Sequence, residues 1–326
     1  MLIVGNGVML WWEAPRSRRP VWQSDRSPYP GLSAFTEQDA SVFFGREEQA
    51  TELVRRLHEL GRDGSDRFVC VTGASGSGKS SLVHAGVVPR LRRGRWHVLP
   101  TVAPAGEPLG GLADLTVAFG AADRAGALRE VRSRPDSLAR SPVAWRTRTG
   151  HRHKRVLLVV DQLEELVTLS SATEQAMFLE RVAAALHADR RLWVVATLRV
   201  EFLADLLAGP YPELFANSAA LGVMRPADFV AVVEKPAQLA GMRFDDGLVD
   251  QIVADTATPD ALPLLAYLLH ELYLGAGPGR AGWPPTRHTR YSVACRGRWV
   301  ARPTRSSRRY AATAAPTTSW PPCCVW

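Results

Sequence analysis

Lysine is nearly missing from this chain of 326 residues: of its 40 basic residues only Lys79, Lys154 and Lys235 are lysine, and the rest are arginine. The bias suggests a GC-rich coding sequence. Cysteine is scarce as well, and three of the four, Cys295, Cys323 and Cys324, fall near the C-terminus, leaving Cys70 alone in the body. Adjacent Cys323 and Cys324 are not a CxxC pair and no second pair stands at ligand spacing, so neither a disulfide framework nor a zinc site is implied. Long apolar runs are absent. The opening Met1 to Trp12 carries two glycines and an asparagine and falls short of the ~20 residues a membrane span needs. It also lacks a basic n-region and a small-residue cleavage site, which argues against a secretory signal and for a cytoplasmic protein. No internal repeat is visible, so a solenoid or propeller is not expected.

Acidic residues vanish at one point. From Gly275 onward there is no Asp, Glu, Leu, Ile or Lys, while arginine occurs nine times between Arg280 and Arg309. Removing those nine from 40 basic residues leaves 31 against 32 acids, a balance of −1 for the body. The formal charge of +8 is therefore a property of the last fifty residues. One reading of residues 275–326 is a basic arm for nucleic acid, with Trp283, Trp299 and Trp320 available for stacking. The other is an aberrant or disordered tail produced by a shifted reading frame, and the simultaneous loss of every acid, Leu and Ile favours it. The balanced body makes nucleic acid an improbable partner for residues before Gly275.

What is present in that body is an alternation of short apolar runs and amphipathic stretches, with 46% apolar residues to build cores. Residues 1–27 read as an irregular N-terminal extension. Arg46 to Leu60 places Leu53, Val54, Leu57 and Leu60 on one helical face. Phe68 to Thr72, Val98 to Val102, Val156 to Val160, Leu192 to Leu198 and, weakly, Ala219 to Val223 read as strands, and Glu174 to Leu186 as a helix. Continuous apolar strands between helices predict an α/β fold, a parallel sheet with helices on both faces. From Pro226 the pattern is wholly helical, over Pro226 to Leu239, Asp246 to Ala254 and Pro259 to Leu274. The expected division is thus a sheet domain over 28–225 and a small helical domain over 226–274.

The sharpest chemical signal is Gly73-Ala74-Ser75-Gly76-Ser77-Gly78-Lys79-Ser80, a GxxxxGK[ST] loop between a strand and a helix running through Leu82 to Val88. Its glycines let backbone N–H groups wrap a phosphate chain at a helix N-terminus. Lys79 is expected to reach the β- and γ-phosphates, Ser80 to ligate Mg²⁺, and Ser81 to continue the helix. Asp161, at the end of the strand Val156 to Val160, is the expected second partner of Mg²⁺. Glu164 or Glu165 would orient the attacking water, with Glu164 the better candidate. Arg199 closes the strand Leu192 to Leu198, where it could sense a γ-phosphate or instead pair with Glu201 or Asp205. Arg146 to Arg155, with His151 and His153 interleaved, reads as a solvated basic loop rather than a nucleic-acid contact or metal site.

Five elements in this order carry a family resemblance: Phe43-Phe44-Gly45-Arg46-Glu47, the phosphate loop, Val156 to Glu165, Leu198-Arg199, and Ala261-Leu262-Pro263-Leu264-Leu265. Together with Pro28-Tyr29-Pro30-Gly31-Leu32 they resemble the STAND-class P-loop NTPases, signal-transduction ATPases with numerous domains, and among them the bacterial novel STAND subgroup. The resemblance spans residues 28–274. It implies that Gly45 and Arg46 lie near the adenine or ribose and that Pro263 packs against the base. It further implies a slowly hydrolysing switch, closed by ADP and opened by ATP exchange, that acts through an effector or sensor protein or a nucleotide-dependent homo-oligomer. The alternatives are a DNA-associated ATPase of the AAA+ or origin-recognition type and a truncated nucleotide-binding remnant.

Overall fold

The computed structural model describes residues 26–59, 65–94, 96–244, 246–256 and 262–276, and the backbone of 291–294 and 298–301. The chain divides into one compact unit over Met1–Gly279 and a second over Arg280–Trp326. In the second, strands β6 (Tyr291–Ala294) and β7 (Arg298–Ala301) form an antiparallel pair. The expectations for residues 1–25 and for most of the basic C-terminal segment lie outside the described residues.

The first unit is built on five parallel strands, β1 (Phe68–Gly73), β2 (Trp96–Val98), β3 (Arg155–Val160), β4 (Leu192–Arg199) and β5 (Ser218–Ala220), in the spatial order β2-β3-β4-β1-β5. The four neighbouring pairs are all parallel. Side chains of one strand alternate between two buried layers, as the two-residue period of a strand requires. Phe68, Cys70, Val156, Leu158, Val194 and Ala196 enter one layer, and Val69, Val71, Leu157, Val159, Trp193 and Val195 the other. This double burial explains why the strands read as unbroken apolar runs.

The first layer is covered by α4 (Pro108–Ala118), α5 (Arg124–Ser133), α6 (Ser137–Thr149) and α8 (Ala172–Ala188), the second by α1 (Glu47–Glu59) and the helix after the phosphate loop. That helix has three pieces: α2 (Lys79–Ser81), a wide i→i+5 segment over Leu82–Val87, and α3 (Val88–Arg92). Short helices α7 (Glu164–Thr168) and α9 (Leu203–Leu207) follow β3 and β4. Three helices then follow the sheet: α10 (Pro226–Leu239), α11 (Leu248–Asp255) and α12 (Leu262–Ala276). Phe229, Val233 and Ala237 on α10, and Leu265, Leu269 and Leu272 on α12, are buried at the three- and four-residue spacing of one helix face.

Three local expectations change. The strand expected over Val98 to Val102 ends at Val98, and beyond Pro100 only a single bridge from Val102 to Val160 continues it; proline has no N–H to give to a ladder. Helices α4, α5 and α6 fill a stretch for which the sequence pattern predicts no element. The basic stretch from Arg146 is not wholly a solvated loop: Arg146 to Thr149 are the last turn of α6. Arg146 is buried and its guanidinium meets the buried Asp189 carboxylate. One-dimensional charge patterning cannot separate a helix's buried face from its exposed one.

Candidate nucleotide site

The strands deliver their C-terminal ends to one edge of the sheet, and the candidate residues follow from that geometry. β1 ends at Gly73, whose register partner on β4 is Arg199, and Val160 of β3 lies beside Ala196. The phosphate loop leaves β1 with Gly76 at φ +70° and Gly78 at φ +87°, a left-handed backbone that glycine adopts without penalty. Lys79 is buried, and its Nζ donates to the carbonyls of Gly73 at 3.0 Å and Ala74 at 2.7 Å. Burial lowers the Lys79 ammonium pKa from its ordinary value, opposed by the charges of Glu164, Glu201 and Asp161.

Ser80 Oγ donates to Asp161 Oδ1 at 2.8 Å, which joins the start of the helix to the end of β3. Two residues not singled out in the sequence complete this cluster. Thr197 Oγ1 also donates to Asp161 Oδ1, at 2.5 Å, and accepts the Gln162 backbone N–H at 2.9 Å. His84 Nε2 lies 3.2 Å from Asp161 Oδ2. It sits on the i→i+5 segment, a distortion that recurs at functional sites. Thr197 had a signal: it is the only hydroxyl in the apolar run Val194 to Leu198. His84 had one too, in its spacing: it stands four residues after Ser80, and residues i and i+4 share a helix face. Burial pushes the Asp161 carboxyl pKa upward, but the hydrogen bonds from His84, Thr197 and Ser80 outweigh it and hold the group below its usual value.

The two glutamates part company. Glu164 faces the cavity and binds Arg199 twice, through Nε at 3.2 Å and through the backbone N–H at 3.2 Å. Glu165 accepts the Ala105 backbone N–H at 3.0 Å, an interaction with the loop after β2. Arg199 therefore pairs with Glu164, not with Glu201 or Asp205.

The cavity, of about 340 Å³, is roofed by the helical segment and by the chain preceding α1. Its walls include Tyr29 to Phe35, Phe43, Arg46, the loop Ser75 to Ser81, Met224, Val232 and Pro263. Gly45, at φ +82°, is packed so tightly that an added Cβ would lie 2.6 Å from Val232 Cγ2 of α10. The Arg46 guanidinium donates to Gly222 O at 2.9 Å and Ser77 O at 3.3 Å. Pro263 lies over Gly76. Ser81 Oγ accepts the Phe35 N–H at 3.1 Å, so Ser81 ties the covering segment to the phosphate-loop helix. Arg46 Nε and Ser77 Oγ are buried with no protein partner. Orphaned polar atoms in a cavity of this size fit a polar ligand. The Ser80 hydroxyl and the Asp161 carboxylate form the hard oxygen set that suits Mg²⁺ with phosphate oxygens. Among the described residues no cluster of three or more His, Cys, Asp or Glu side chains offers another metal site.

A parallel sheet with this loop between β1 and its helix, and an acidic residue at the end of β3, defines a P-loop NTPase. A family model described as Novel STAND NTPase 1 matches residues 28–290. The chain belongs to that family. Among solved structures it is similar to the Walker-type ATPase PABY2304 of Pyrococcus abyssi, with 14% identity, a TM-score of 0.51 and coverage of 76% of this chain and 72% of that one. The ORC2 protein of Aeropyrum pernix in ADPNP and ADP complexes matches at 17% identity and a TM-score of 0.49, over 69% of this chain and 61% of that one. The ORC1 protein of Aeropyrum pernix in complex with DNA matches at 15% identity and a TM-score of 0.49, over 72% and 62%. The chain thus spans less than two thirds of the two ORC proteins. No curated protein matches it significantly. Among the described residues no helix is long and apolar enough to cross a membrane.

Proposed function

We propose that this NTPase is an ATP-binding, slowly hydrolysing switch of the signal-transduction type, acting in the cytoplasm. The observation that carries the reading is the contact of Pro263 with Gly76: a helix of the C-terminal segment rests on the phosphate loop itself. Nucleotide and helical lid share one cavity, so a nucleotide has differential contacts with open and closed arrangements, which any nucleotide switch requires. Within that cavity the loop from Gly73 to Ser80 wraps the phosphates and Lys79 turns from its own loop carbonyls to the β- and γ-phosphates. Ser80 and Asp161 would hold Mg²⁺, which when bound would neutralise phosphate charge. Glu164 orients the water, and Arg199 reads the γ-phosphate. In the arrangement described, Glu164 is engaged by Arg199, which supports slow turnover: the carboxylate is occupied until Arg199 is drawn to phosphate. Arg46 and Pro263, which line the cavity, and the neighbouring Gly45 would face the base and ribose. An effector or sensor protein, or a nucleotide-dependent homo-oligomer, would read the state.

Titration of the purified chain with ATP, ADP and GTP by calorimetry tests this. Adenine nucleotides are expected to bind in preference to GTP, and Lys79→Ala is expected to weaken them by 100-fold or more, the loss of a charged hydrogen-bond donor at about 1.4 kcal/mol per tenfold. Undiminished affinity in Lys79→Ala would remove the assignment of the site.

A further inference from the structure

The body's balance of −1 conceals a strong asymmetry. The phosphate loop occupies the C-terminal edge of the sheet, and the opposite edge, where β2, β3 and β4 begin, is crowded with cations. Register places Trp96 of β2 beside Arg155 of β3, and Val156 of β3 beside Leu192 of β4. The first residues of these three adjacent strands therefore lie side by side, about 4.8 Å apart in the hydrogen-bonding direction, and the segments leading into them meet at one edge of the sheet. Each is basic: Arg93 before β2, Arg152 and Lys154 before β3, Arg190 and Arg191 before β4. The four arginines are exposed and Lys154 is half-buried.

Three acids near this edge are engaged by other groups, among them Asp66 before β1, which accepts the Asn217 side-chain amide at 3.1 Å. Asp189 is buried against Arg146, and its other oxygen accepts the Arg191 backbone N–H at 2.9 Å. Glu37 pairs with Arg92 at 2.8 Å. None of Arg93, Arg152, Lys154, Arg190 and Arg191 has an ion-pair partner among the described residues. Their mutual proximity is felt by their neighbours. Burial and then Lys154 and Arg92 hold His97 below its usual pKa, and burial and then Arg191 do the same to Arg155. Arg155 itself is laid over the rings of Trp193 at 4.9 Å and Trp96 at 5.3 Å, a stiff base beneath the exposed charges.

We propose that this strand-start edge is a docking surface for the phosphate backbone of nucleic acid, read without regard to base sequence. Four of the five free charges are arginine, whose planar fork matches phosphate oxygens. The exposed large apolar side chains, Leu32, Val143, Leu169 and Leu264 among them, lie off these three segments. Among the described residues the edge thus lacks the apolar side chains that anchor a membrane-surface helix or the core of a protein interface. The six-residue strands β1 and β3 separate it from the phosphate loop by about 20 Å, so nucleotide and polyanion bind together.

The test uses the full chain and a labelled random-sequence 20-base-pair duplex, followed by fluorescence anisotropy across 50–200 mM KCl. Combined Arg152→Ser, Lys154→Ser, Arg190→Ser and Arg191→Ser substitutions are expected to flatten the slope of log K against log salt by about 3 to 4, close to 0.9 per lost phosphate contact. ATP affinity is expected to stay unchanged. The arginines from Arg280 to Arg309 contribute equally to both proteins and drop out of the difference. Arg152→Lys, Arg190→Lys and Arg191→Lys together preserve charge and are expected to preserve the slope. Should the fourfold variant fail to fold, each half, Arg152→Ser with Lys154→Ser or Arg190→Ser with Arg191→Ser, is expected to lower the slope by about 2. An unchanged slope in the serine variants overturns the proposal. So does stronger retention of the chain by vesicles of phosphatidylserine and phosphatidylcholine than by the duplex.

Discussion

Gly76→Ala probes the closure of the helical segment over the phosphate loop with a single methyl group. Gly76 stands at φ +70°, and a Cβ built there would lie 2.7 Å from Pro263 Cγ and 3.4 Å from Pro263 Cδ. Two costs follow. The left-handed backbone disfavours alanine by about 1–2 kcal/mol. The contact is about 1 Å inside the 3.5–4.0 Å optimum for carbon atoms, and forcing α12 to retreat by that distance is an overpacking event of about 1–3 kcal/mol. The single substitution should therefore lose roughly 2–5 kcal/mol in urea unfolding without nucleotide. The backbone part is intrinsic to residue 76, whereas the steric part needs the proline ring. In a Pro263→Ala background Gly76→Ala should therefore cost only about 1–2 kcal/mol, a coupling of about 1–3 kcal/mol between residues far apart in sequence. Additivity of the two substitutions within about 0.5 kcal/mol would refute the contact and with it the shared-cavity argument.

Two further outcomes are expected. Removing one partner of the buried Arg146–Asp189 pair, as in Arg146→Met, should cost about 3–5 kcal/mol in urea unfolding, because Asp189 would keep a buried charge without its cation; a loss below about 1 kcal/mol would count against it. Asp161 titrates lower in the folded chain than its ordinary 3.8, so between the two values the unfolded state binds more protons. Its contribution is therefore complete above about pH 4 and disappears as pH falls through the depressed folded value. Asp161→Asn should flatten that acid limb in a thermal-stability profile, and a limb of undiminished steepness would exclude Asp161 as its source.

The parts of this protein legible in its sequence are those fixed by neighbours along the chain. Phe68 to Ser80 announces strand, loop and helix because a doubly buried strand must be apolar and a phosphate loop must carry glycines where φ is positive. Asp161 is legible for the same reason, as the first polar residue after five buried ones. What stayed hidden depends on distant partners. That His84 meets Asp161 depends on the end of β3, 77 residues away, lying opposite its helix face, and the fate of Glu165 is decided by a backbone N–H at Ala105, 60 residues away.

The roof of the cavity is the extreme case. The Tyr29 hydroxyl donates to Val233 O of α10 at 2.5 Å, and the Tyr29 carbonyl lies 2.7 Å from His270 Nδ1 of α12. Gly31, at φ +74°, is held so close to His270 that an added Cβ would lie 3.2 Å from its ring. One short segment before the sheet therefore links two helices that follow the sheet, by bonds spanning more than 200 residues. No periodicity records such a bond. Yet these contacts set the position of Pro263 over the phosphate loop, because α12 is fastened through Tyr29 to α10 and α10 packs on Gly45 at the head of α1. The phosphate chemistry is written locally, and the closure that would make it a switch is written across the whole first unit.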